Sequence, residues 1–232
     1  MIEINQLTRT FWQKPLLEKR QLVVALEQVT FDIEPGTLCV VTGPNGSGKT
    51  TLLRLVAGLL LPTSGEILIH GHPPISSYNR GRVGFLSSET NKGFYGHLSA
   101  WENIRLAAGT CGLGLNAKML LLKAEALEEA MVCPPVLNIR VRELPQGLRS
   151  RLALIRTLIC EPEILVLDEP FRDIDQDSLW KIKNWFQEEA VRKQGKTILF
   201  TTHRLEEFSG WSASCVTLKE GRLDPEQYLQ YV

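Results

Sequence analysis

A net charge of either sign is the first feature that this sequence lacks. Its 232 residues include 26 lysines and arginines and 26 aspartates and glutamates, so the formal charge at pH 7 is zero. Without a global electrostatic field, binding to nucleic acid or to an anionic lipid surface is not expected. Hydrophobic residues at 44% and charged residues at 22% exclude a disordered or fibrous chain. The length suits one large domain with a substantial core.

The sequence also lacks a long apolar segment. Its longest apolar run extends only from Leu55 to Leu61, whereas a helix that spans a bilayer needs roughly 20 apolar residues. The start of the chain has no basic flank followed by an apolar stretch, which argues against a secretory signal. We therefore expect a cytoplasmic protein without direct membrane insertion, which reaches a membrane only through a partner.

Cysteines at regular spacing are missing as well. The five cysteines are odd in number, widely scattered and without a CxxC pair: Cys39, Cys111, Cys133, Cys160 and Cys215. This pattern indicates neither a zinc site nor a disulfide framework, and it fits a reducing compartment.

What the sequence does contain is an alternation of strands and helices. Short apolar and β-branched runs predict strands at 22–33, 37–42, 66–70, 82–86, 164–167 and 197–201. Apolar periodicity, capping residues and breakers predict helices at 50–60, from Ser99 to about Gly109, and at 117–132, 147–159 and 176–192. This alternation predicts an α/β fold with a largely parallel sheet, into which a helical segment is inserted.

A glycine-rich loop lies between the second predicted strand and the first predicted helix. It matches the pattern GxxxxGK[ST] in full with Gly43, Pro44, Asn45, Gly46, Ser47, Gly48, Lys49 and Thr50. The backbone amides of such a loop form an anion cradle at the positive end of the helix. Lys49 supplies a positive charge for the β- and γ-phosphates, and the Thr50 hydroxyl can bind magnesium. The alternative is a glycine turn with a chance lysine, which the flanking strand and helix disfavour.

Two carboxylates follow the predicted strand at 164–167. Asp168 and Glu169 stand just past its end, where open parallel sheets bind ligands. Asp168 is expected to hold magnesium, directly or through water, and Glu169 to act as the general base on the attacking water. His203 follows the strand at 197–201 and can bond a phosphate oxygen or that water, although alone it would be interpreted as a surface histidine.

Taken in order, these motifs resemble the ATP-binding cassette ATPases over essentially the whole chain. Gly43–Thr50 resembles the Walker A motif, 164–169 the Walker B motif with its catalytic glutamate, and His203 the switch histidine. Residues 144–148 stand at the place of the signature, and 171–175 at that of the D-loop.

The resemblance implies a P-loop NTPase fold with a mostly parallel central sheet, an antiparallel β edge and an inserted helical subdomain. A single domain 1–232 would have its nucleotide-binding core in 1–95 and 161–232 and its helical subdomain in 96–160. ATP and Mg²⁺ are the implied cofactors, and the implied catalytic residues are Lys49, Glu169 and His203. The residues implied to contact ATP are Phe11, Gly43, Pro44, Asn45, Gly46, Ser47, Gly48, Lys49, Thr50, Thr51 and Gly147.

Two of these assignments leave alternatives open. The adenine-stacking ring is Phe11 or Trp12, or an aromatic that only fills an edge of the core. In exporter-type cassettes, which residues 83–103 resemble, a Ser-Ser-acid run can replace the glutamine of the Q-loop. Here Ser88 takes that place and Glu89 follows, which makes Glu89 a third candidate magnesium ligand unless this loop contacts only the permease.

Exporter-type cassettes drive a separate permease, and this defines the expected partners. They are a membrane permease and a second cassette, in a homodimer or a heterodimer. No nucleic acid is expected. The chain would lie in the cytoplasm, peripheral on the inner face of the cell membrane.

The signature region departs from the family pattern. Pro145 stands where a serine is usual, and proline offers neither a hydroxyl nor an amide to the γ-phosphate. Gln146 replaces a glycine, although Gly147 remains. The leading interpretation is an ATP-hydrolysing transporter subunit, and the alternative is a degenerate cassette that binds ATP with little turnover. Most of the five arginines in 138–156 are expected on a solvated face.

Overall fold

The computed structural model describes residues 1–13, 21–89, 93–112, 116–203, 208 and 210–224. The chain divides into two compact units, one of residues 1–80 with 197–232 and the other of residues 81–196. The first unit contains β1 Ile2–Gln13, β2 Gln21–Ile33, β3 Leu38–Thr42, α1 Lys49–Val56, β4 Ser64–Ile69, β7 Thr197–Thr201, β8 Ala213–Lys219 and β9 Arg222–Leu223. The second contains β5 Val83–Leu86, α2 Ala100–Thr110, α3 Ala117–Ala130, α4 Gln146–Leu158, β6 Ile164–Leu167 and α5 Gln176–Trp185, which continues as a π-helical segment Phe186–Lys193.

Two sets of strands form the first unit. β1 lies between β2 and β4 in an antiparallel sheet. β3 pairs in parallel with both β7 and β8, and β9 pairs antiparallel with β8. Every residue of β7 is buried, as expected for a parallel strand that is covered on both faces. The predicted α/β fold, with mostly parallel strands and an antiparallel sheet, is confirmed.

Helices form most of the second unit, together with the parallel pair β5 and β6. The predicted capping box begins α2. The Ser99 hydroxyl accepts from the Glu102 amide at 3.1 Å, and the Ser99 amide donates to the Glu102 carboxylate at 2.7 Å. Asn116 caps α3 by accepting from the Met119 amide at 2.9 Å. Among the described residues, no helix combines the length and apolar character needed to cross a membrane.

The structure differs from the sequence prediction at three strands and one helix end. The sequence pattern predicts none of β1, β8 and β9. In β1, Gln6 has a φ of 47° and the pairing with β2 shifts between Ile4 and Leu7, so a single period-2 pattern does not run along the strand. Helix α1 ends at Val56 rather than residue 60, because Gly58 adopts a φ of 70° and turns the chain.

The expectation that the chain has no disulfide is wrong. Cys111, at the end of α2, and Cys160, just past α4, form a disulfide with a Cα–Cα distance of 5.8 Å. The two cysteines are 49 residues apart, and their meeting depends on how two helix ends pack, which cysteine spacing does not encode. The remaining three are buried thiols, at positions 39, 133 and 215.

Alkylation with iodoacetamide, counted by mass spectrometry, tests this arrangement. Burial raises the pKa of Cys39 to about 12 and that of Cys133 to about 11, and it also raises the pKa of Cys215. Because the thiolate is the reactive form, we expect no labelling of the folded protein at pH 8. The unfolded chain should label at three sites before reduction and at five after it. Five labelled sites before reduction would contradict the disulfide.

Candidate functional site

The loop between β3 and α1 turns at three glycines with positive φ: Gly43 at 135°, Gly46 at 80° and Gly48 at 102°. A Cβ on Gly43 would lie 2.1 Å from the Leu218 carbonyl oxygen, and a Cβ on Gly48 would lie 2.4 Å from the Ala25 carbonyl oxygen. Any side chain at either position would displace a neighbouring strand. A Cβ on Gly46 would meet no atom of the described residues within 4 Å, so the loop is open there.

Lys49 is fixed against the start of this loop. Its ammonium donates to the carbonyl oxygens of Gly43 at 2.8 Å and Pro44 at 3.0 Å, and the residue is 6% exposed. A buried cation requires such partners. The hydroxyl of Ser47 is also buried and has no hydrogen-bond partner within the described part of the chain. A fixed cation and an orphaned hydroxyl in one glycine loop are suited to the oxygens of a phosphate.

The other predicted residues of this loop and its surroundings also lie in the first unit. Pro44 and Asn45 are exposed, and Thr50 and Thr51 are half-buried in the first turn of α1. His203 is exposed, two residues beyond the end of β7. The loop and α1 thus form a continuous segment from β3, as the sequence predicts.

Two aromatic residues on β1 are candidates for stacking on a base. The Phe11 ring is half-buried, and the Arg9 guanidinium lies 4.5 Å from its centroid. Trp12 is 70% exposed. The Phe11 ring therefore already stacks with a cation, while the neighbouring indole presents most of its surface to solvent.

Asp168 follows β6 in the second unit and is 1% exposed. Its amide donates to the Leu86 carbonyl oxygen at 2.8 Å, and its Oδ2 accepts from the Ser88 hydroxyl at 2.9 Å. Glu89 is exposed, and its amide donates to the Ser87 hydroxyl at 3.3 Å. The structure thus places Ser88 on the Asp168 carboxylate. The sequence did not predict this contact, although Ser88 was singled out at the Q-loop position.

Glu169 adopts an uncommon backbone conformation. Its φ is 51°, and non-glycine residues with positive φ are rare and often found at functional sites. The side chain is 13% exposed, and the Arg172 guanidinium lies 4.0 Å from its Oε2. A carboxylate that is shielded from most of the solvent but still accessible suits a general base.

The signature-like segment leads directly into α4. Pro145 is the N-cap residue, with a φ of −57° and a ψ of 155°, and makes no side-chain cap bond. Its carbonyl oxygen accepts from the Leu148 amide at 3.1 Å and the Arg149 amide at 3.0 Å. Gly147 is half-buried, and a Cβ there would lie 2.9 Å from the Asp173 carbonyl oxygen.

The prediction that most arginines of 138–156 lie on a solvated face is wrong for α4. Arg151 is buried and donates to the carboxylate of Asp175. Arg149 donates to a backbone carbonyl oxygen at 2.7 Å. The Arg156 guanidinium lies 4.3 Å above the centroid of an aromatic ring, and burial lowers its pKa. These cations hold α4 to its surroundings rather than face water.

The Arg151 contact joins α4 to the loop after β6. Asp175 also caps α5 by accepting from the Ser178 amide at 2.9 Å. The hydrogen bond from the Ser178 backbone amide, with smaller contributions from the Ser178 hydroxyl and Arg151, lowers the pKa of Asp175. Asp175, which lies in the predicted D-loop, therefore joins α4 to the start of α5.

Thr50 and Asp168 each offer an oxygen atom of the kind that magnesium binds. Mg²⁺ prefers oxygen ligands, and in nucleotide sites it binds one or two protein oxygens together with phosphate oxygens. Asp168 offers a buried carboxylate that Ser88 orients, and Thr50 offers a hydroxyl at the phosphate loop. Among the described residues, no group of three or more His, Cys, Asp or Glu side chains could hold a metal.

Comparisons with known proteins identify related sequences and folds. The model of the ABC transporter family matches residues 26–172. The ABC transporter ATP-binding protein NatA of Bacillus subtilis (strain 168) is 30% identical over 226 residues, which cover 96% of this chain and 87% of NatA. The osmoprotectant import ATP-binding protein OsmV of Salmonella typhimurium is 29% identical over 228 residues, which cover 96% of this chain and 57% of OsmV.

A solved structure supports the fold. The ATP-binding cassette MJ0796, in a dimeric post-hydrolysis state bound to ADP and Pi, matches with a TM-score of 0.86 at 23% identity, over 97% of each chain. At this level of identity the likeness concerns the fold alone.

Replacing Ser88 with alanine removes the donor to Asp168. Partners of this kind typically change metal affinity by about 10- to 100-fold. We expect Ser88→Ala to weaken Mn²⁺ binding in the presence of a nonhydrolysable ATP analogue by about tenfold, as measured by electron paramagnetic resonance. Ser88→Thr keeps the hydroxyl and should restore the affinity.

Ser212→Ala is the control, because it changes an exposed serine outside this loop. Its Mn²⁺ affinity should equal that of the unaltered chain. An unchanged affinity in Ser88→Ala would contradict a role for this contact.

Proposed function

The chain belongs to the ABC transporter family and is an ATP-binding cassette ATPase, and from this premise we propose that it hydrolyses MgATP to energise export through a separate membrane permease. We propose a single domain over residues 1–232, with a nucleotide-binding core in 1–95 and 161–232 and a helical subdomain in 96–160. It would act in the cytoplasm on the inner face of the cell membrane, as one of two paired cassettes in a homodimer or a heterodimer.

The phosphate loop is the observation that carries this proposal. The Lys49 ammonium is held by carbonyl oxygens of the loop itself, so its charge is fixed before a ligand arrives. The open position at Gly46 and the orphaned Ser47 hydroxyl lie in the same loop. A loop of this geometry binds the β- and γ-phosphates through its amides and its lysine. Phe11, or its neighbour Trp12, would stack on the adenine ring.

Thr50 and Asp168 would hold the magnesium ion that accompanies the nucleotide. Ser88 donates to one oxygen of Asp168 and thereby restricts the orientation of the carboxylate. When bound, the ion supplies positive charge to the phosphate oxygens. Glu89 comes from the same loop as Ser88 and remains a candidate for an additional contact through water.

Glu169 would accept a proton from the attacking water. Its side chain is 13% exposed, which limits competition from bulk solvent. His203 would donate to the γ-phosphate or hold the water in line. Rate acceleration would then come from positioning and from proton transfer, as in other phosphoryl-transfer sites.

The first turn of α4 would serve the nucleotide of the paired cassette. The Leu148 and Arg149 amides donate to the Pro145 carbonyl oxygen. The Gly147 amide precedes them, and amides in this position are those that a helix N-terminus offers to an anion. Pro145 contributes no amide, so the charge that develops on the γ-phosphate would receive fewer donors than in the usual signature.

A degenerate cassette that binds ATP with little turnover is the second candidate function. Two observations favour it. Pro145 removes donors from the signature, and the Arg172 guanidinium, 4.0 Å from Glu169, competes for the carboxylate that should activate water. The presence of both Asp168 and Glu169 favours hydrolysis, because a cassette that only binds ATP needs no general base.

The direction of transport rests on the likeness of residues 83–103 to exporter-type cassettes. The relative OsmV is named for import, so likeness to relatives does not decide the direction. Co-purification of the permease from detergent-solubilised membranes, followed by transport in reconstituted vesicles with ATP on the cassette side, tests it. Net movement of cargo toward the cassette side would contradict export.

Two substitutions separate binding from hydrolysis. Lys49→Ala removes a charge-assisted contact to phosphate and should weaken ATP binding by about 10- to 100-fold, as measured by calorimetry. Glu169→Gln should leave ATP affinity within about threefold but reduce single-turnover hydrolysis by about 100-fold or more. Lys219→Ala changes an exposed lysine of the same unit and is the control for Lys49. Hydrolysis that is unaffected by Glu169→Gln would contradict the proposed enzyme.

Restoring the usual serine tests whether Pro145 limits turnover. Pro145→Ser returns a hydroxyl and an amide to the start of α4, so we expect steady-state hydrolysis in the paired cassette to rise by about tenfold or more. Pro134→Ser, at an exposed proline before α4, should have no effect. An unchanged rate in Pro145→Ser would show that the first turn of α4 has adapted to proline.

A further inference from the structure

Asp173 connects the loop after β6 to helix α4. Its Oδ2 accepts from the Gln146 side-chain amide at 3.2 Å and from the Ser150 hydroxyl at 3.1 Å. Gln146 is the first residue of α4, and Ser150 lies four residues further on, so both side chains are on one face of the helix. One carboxylate oxygen therefore spans the first turn of the signature-like helix.

The backbone at Asp173 also approaches this turn closely. A Cβ on Gly147 would lie 2.9 Å from the Asp173 carbonyl oxygen, which is shorter than an ordinary contact. The glycine at 147 thus allows the loop to pack directly on the helix. Backbone packing and side-chain bonds from one residue converge on the same few atoms of α4.

Helix α4 lacks the usual means of fixing its own start. Pro145 at the N-cap makes no side-chain cap bond, and the first turn has no acidic residue. Helices normally gain stability at this end from a capping side chain or a nearby carboxylate. Asp173 brings a carboxylate to this end from another part of the chain.

We propose that Asp173 is a positioning residue that fixes the first turn of α4 in place of the N-cap that Pro145 does not provide. The functional meaning rests on the proposed function, in which this turn meets the nucleotide of the paired cassette. The bond from Gln146 exists because a glutamine stands where the family resemblance has a glycine. Gln146 and Asp173 therefore act as a pair, and the glutamine is an adaptation of the segment rather than a simple loss.

We expect the contacts of Arg151 to keep the rest of α4 in place when Asp173 is changed. Arg151 donates to Asp175 and to the Ser178 hydroxyl, one turn further along the helix. Asp173 itself is exposed, so its substitution creates no cavity. The effect of Asp173→Ala should thus be confined to the first turn of α4.

Hydrogen exchange of the full chain, followed by mass spectrometry on peptides covering 144–152, tests the positioning role. We expect Asp173→Ala to accelerate exchange in this peptide by about tenfold. Asp173→Asn keeps an oxygen that can accept both bonds and should stay within about twofold of the unaltered chain. Asp177→Ala removes another exposed carboxylate, which makes no hydrogen bond to α4 in the described part of the chain, and should have no effect.

A mutant cycle and a pairing assay complete the test. Adding Gln146→Ala and Ser150→Ala to Asp173→Ala should cause little further acceleration, because the same bonds are already lost. The pairing assay uses a Glu169→Gln background, which retains bound ATP. In this background, Asp173→Ala should raise the protein concentration needed for ATP-driven pairing about tenfold, as measured by analytical ultracentrifugation. The affinity of the unpaired chain for ATP should not change.

Unchanged exchange in Asp173→Ala, or exchange in Asp173→Asn as fast as in Asp173→Ala, would overturn the proposal. Tighter pairing of Asp173→Asn would show instead that the charge of Asp173 repels the nucleotide, which also contradicts a positioning role. If the Glu169→Gln chain does not pair on adding ATP, the homodimer form of the proposed function is wrong. The exchange experiment then still decides the role of Asp173, because it requires no second cassette.

Discussion

The ammonium of Lys49, bonded to the carbonyl oxygens of Gly43 and Pro44, is the interaction on which the candidate site depends. A cation that is 6% exposed is stable only where oxygen atoms replace water. Those oxygens point correctly because the loop turns at residues that tolerate positive φ. The loop in turn is confined by the backbone of β2 and β8 behind it. The positive charge of Lys49 is therefore positioned by main-chain atoms more than by other side chains.

The parts of the fold that the sequence predicts are those with strong local patterns. The buried strands β6 and β7 have the predicted bounds, because strands covered on both faces carry an unbroken apolar run, which in β7 lies between two threonines. The caps of α2 and α3 are correct because Ser99 and Asn116 act on amides three residues away. β1 escapes prediction because its bulge at Gln6 interrupts the alternation of buried residues.

Side-chain partners that are distant in sequence cannot be predicted from local patterns. Ser88 and Asp168 are 80 residues apart, and nothing in either neighbourhood indicates the other. The arginines of α4 carry a pattern of charge that usually marks a solvated face, yet Arg151 is buried and bonds to Val132 and Asp175, which lie 19 and 24 residues away in the chain. The motifs thus predicted which residues belong to the site, while their supporting contacts depend on tertiary packing.

The close approach of the Leu218 carbonyl oxygen to Gly43 has an evolutionary consequence. The shape of the phosphate loop is inherited from the strands behind it, whereas the groups that govern turnover are single side chains that can be exchanged one at a time. A lineage carrying this scaffold can drift in catalytic speed through substitutions at the signature while retaining nucleotide capture. Loss of nucleotide capture would require a change at Lys49 or in the strands that shape the loop, so turnover is the more easily altered of the two properties.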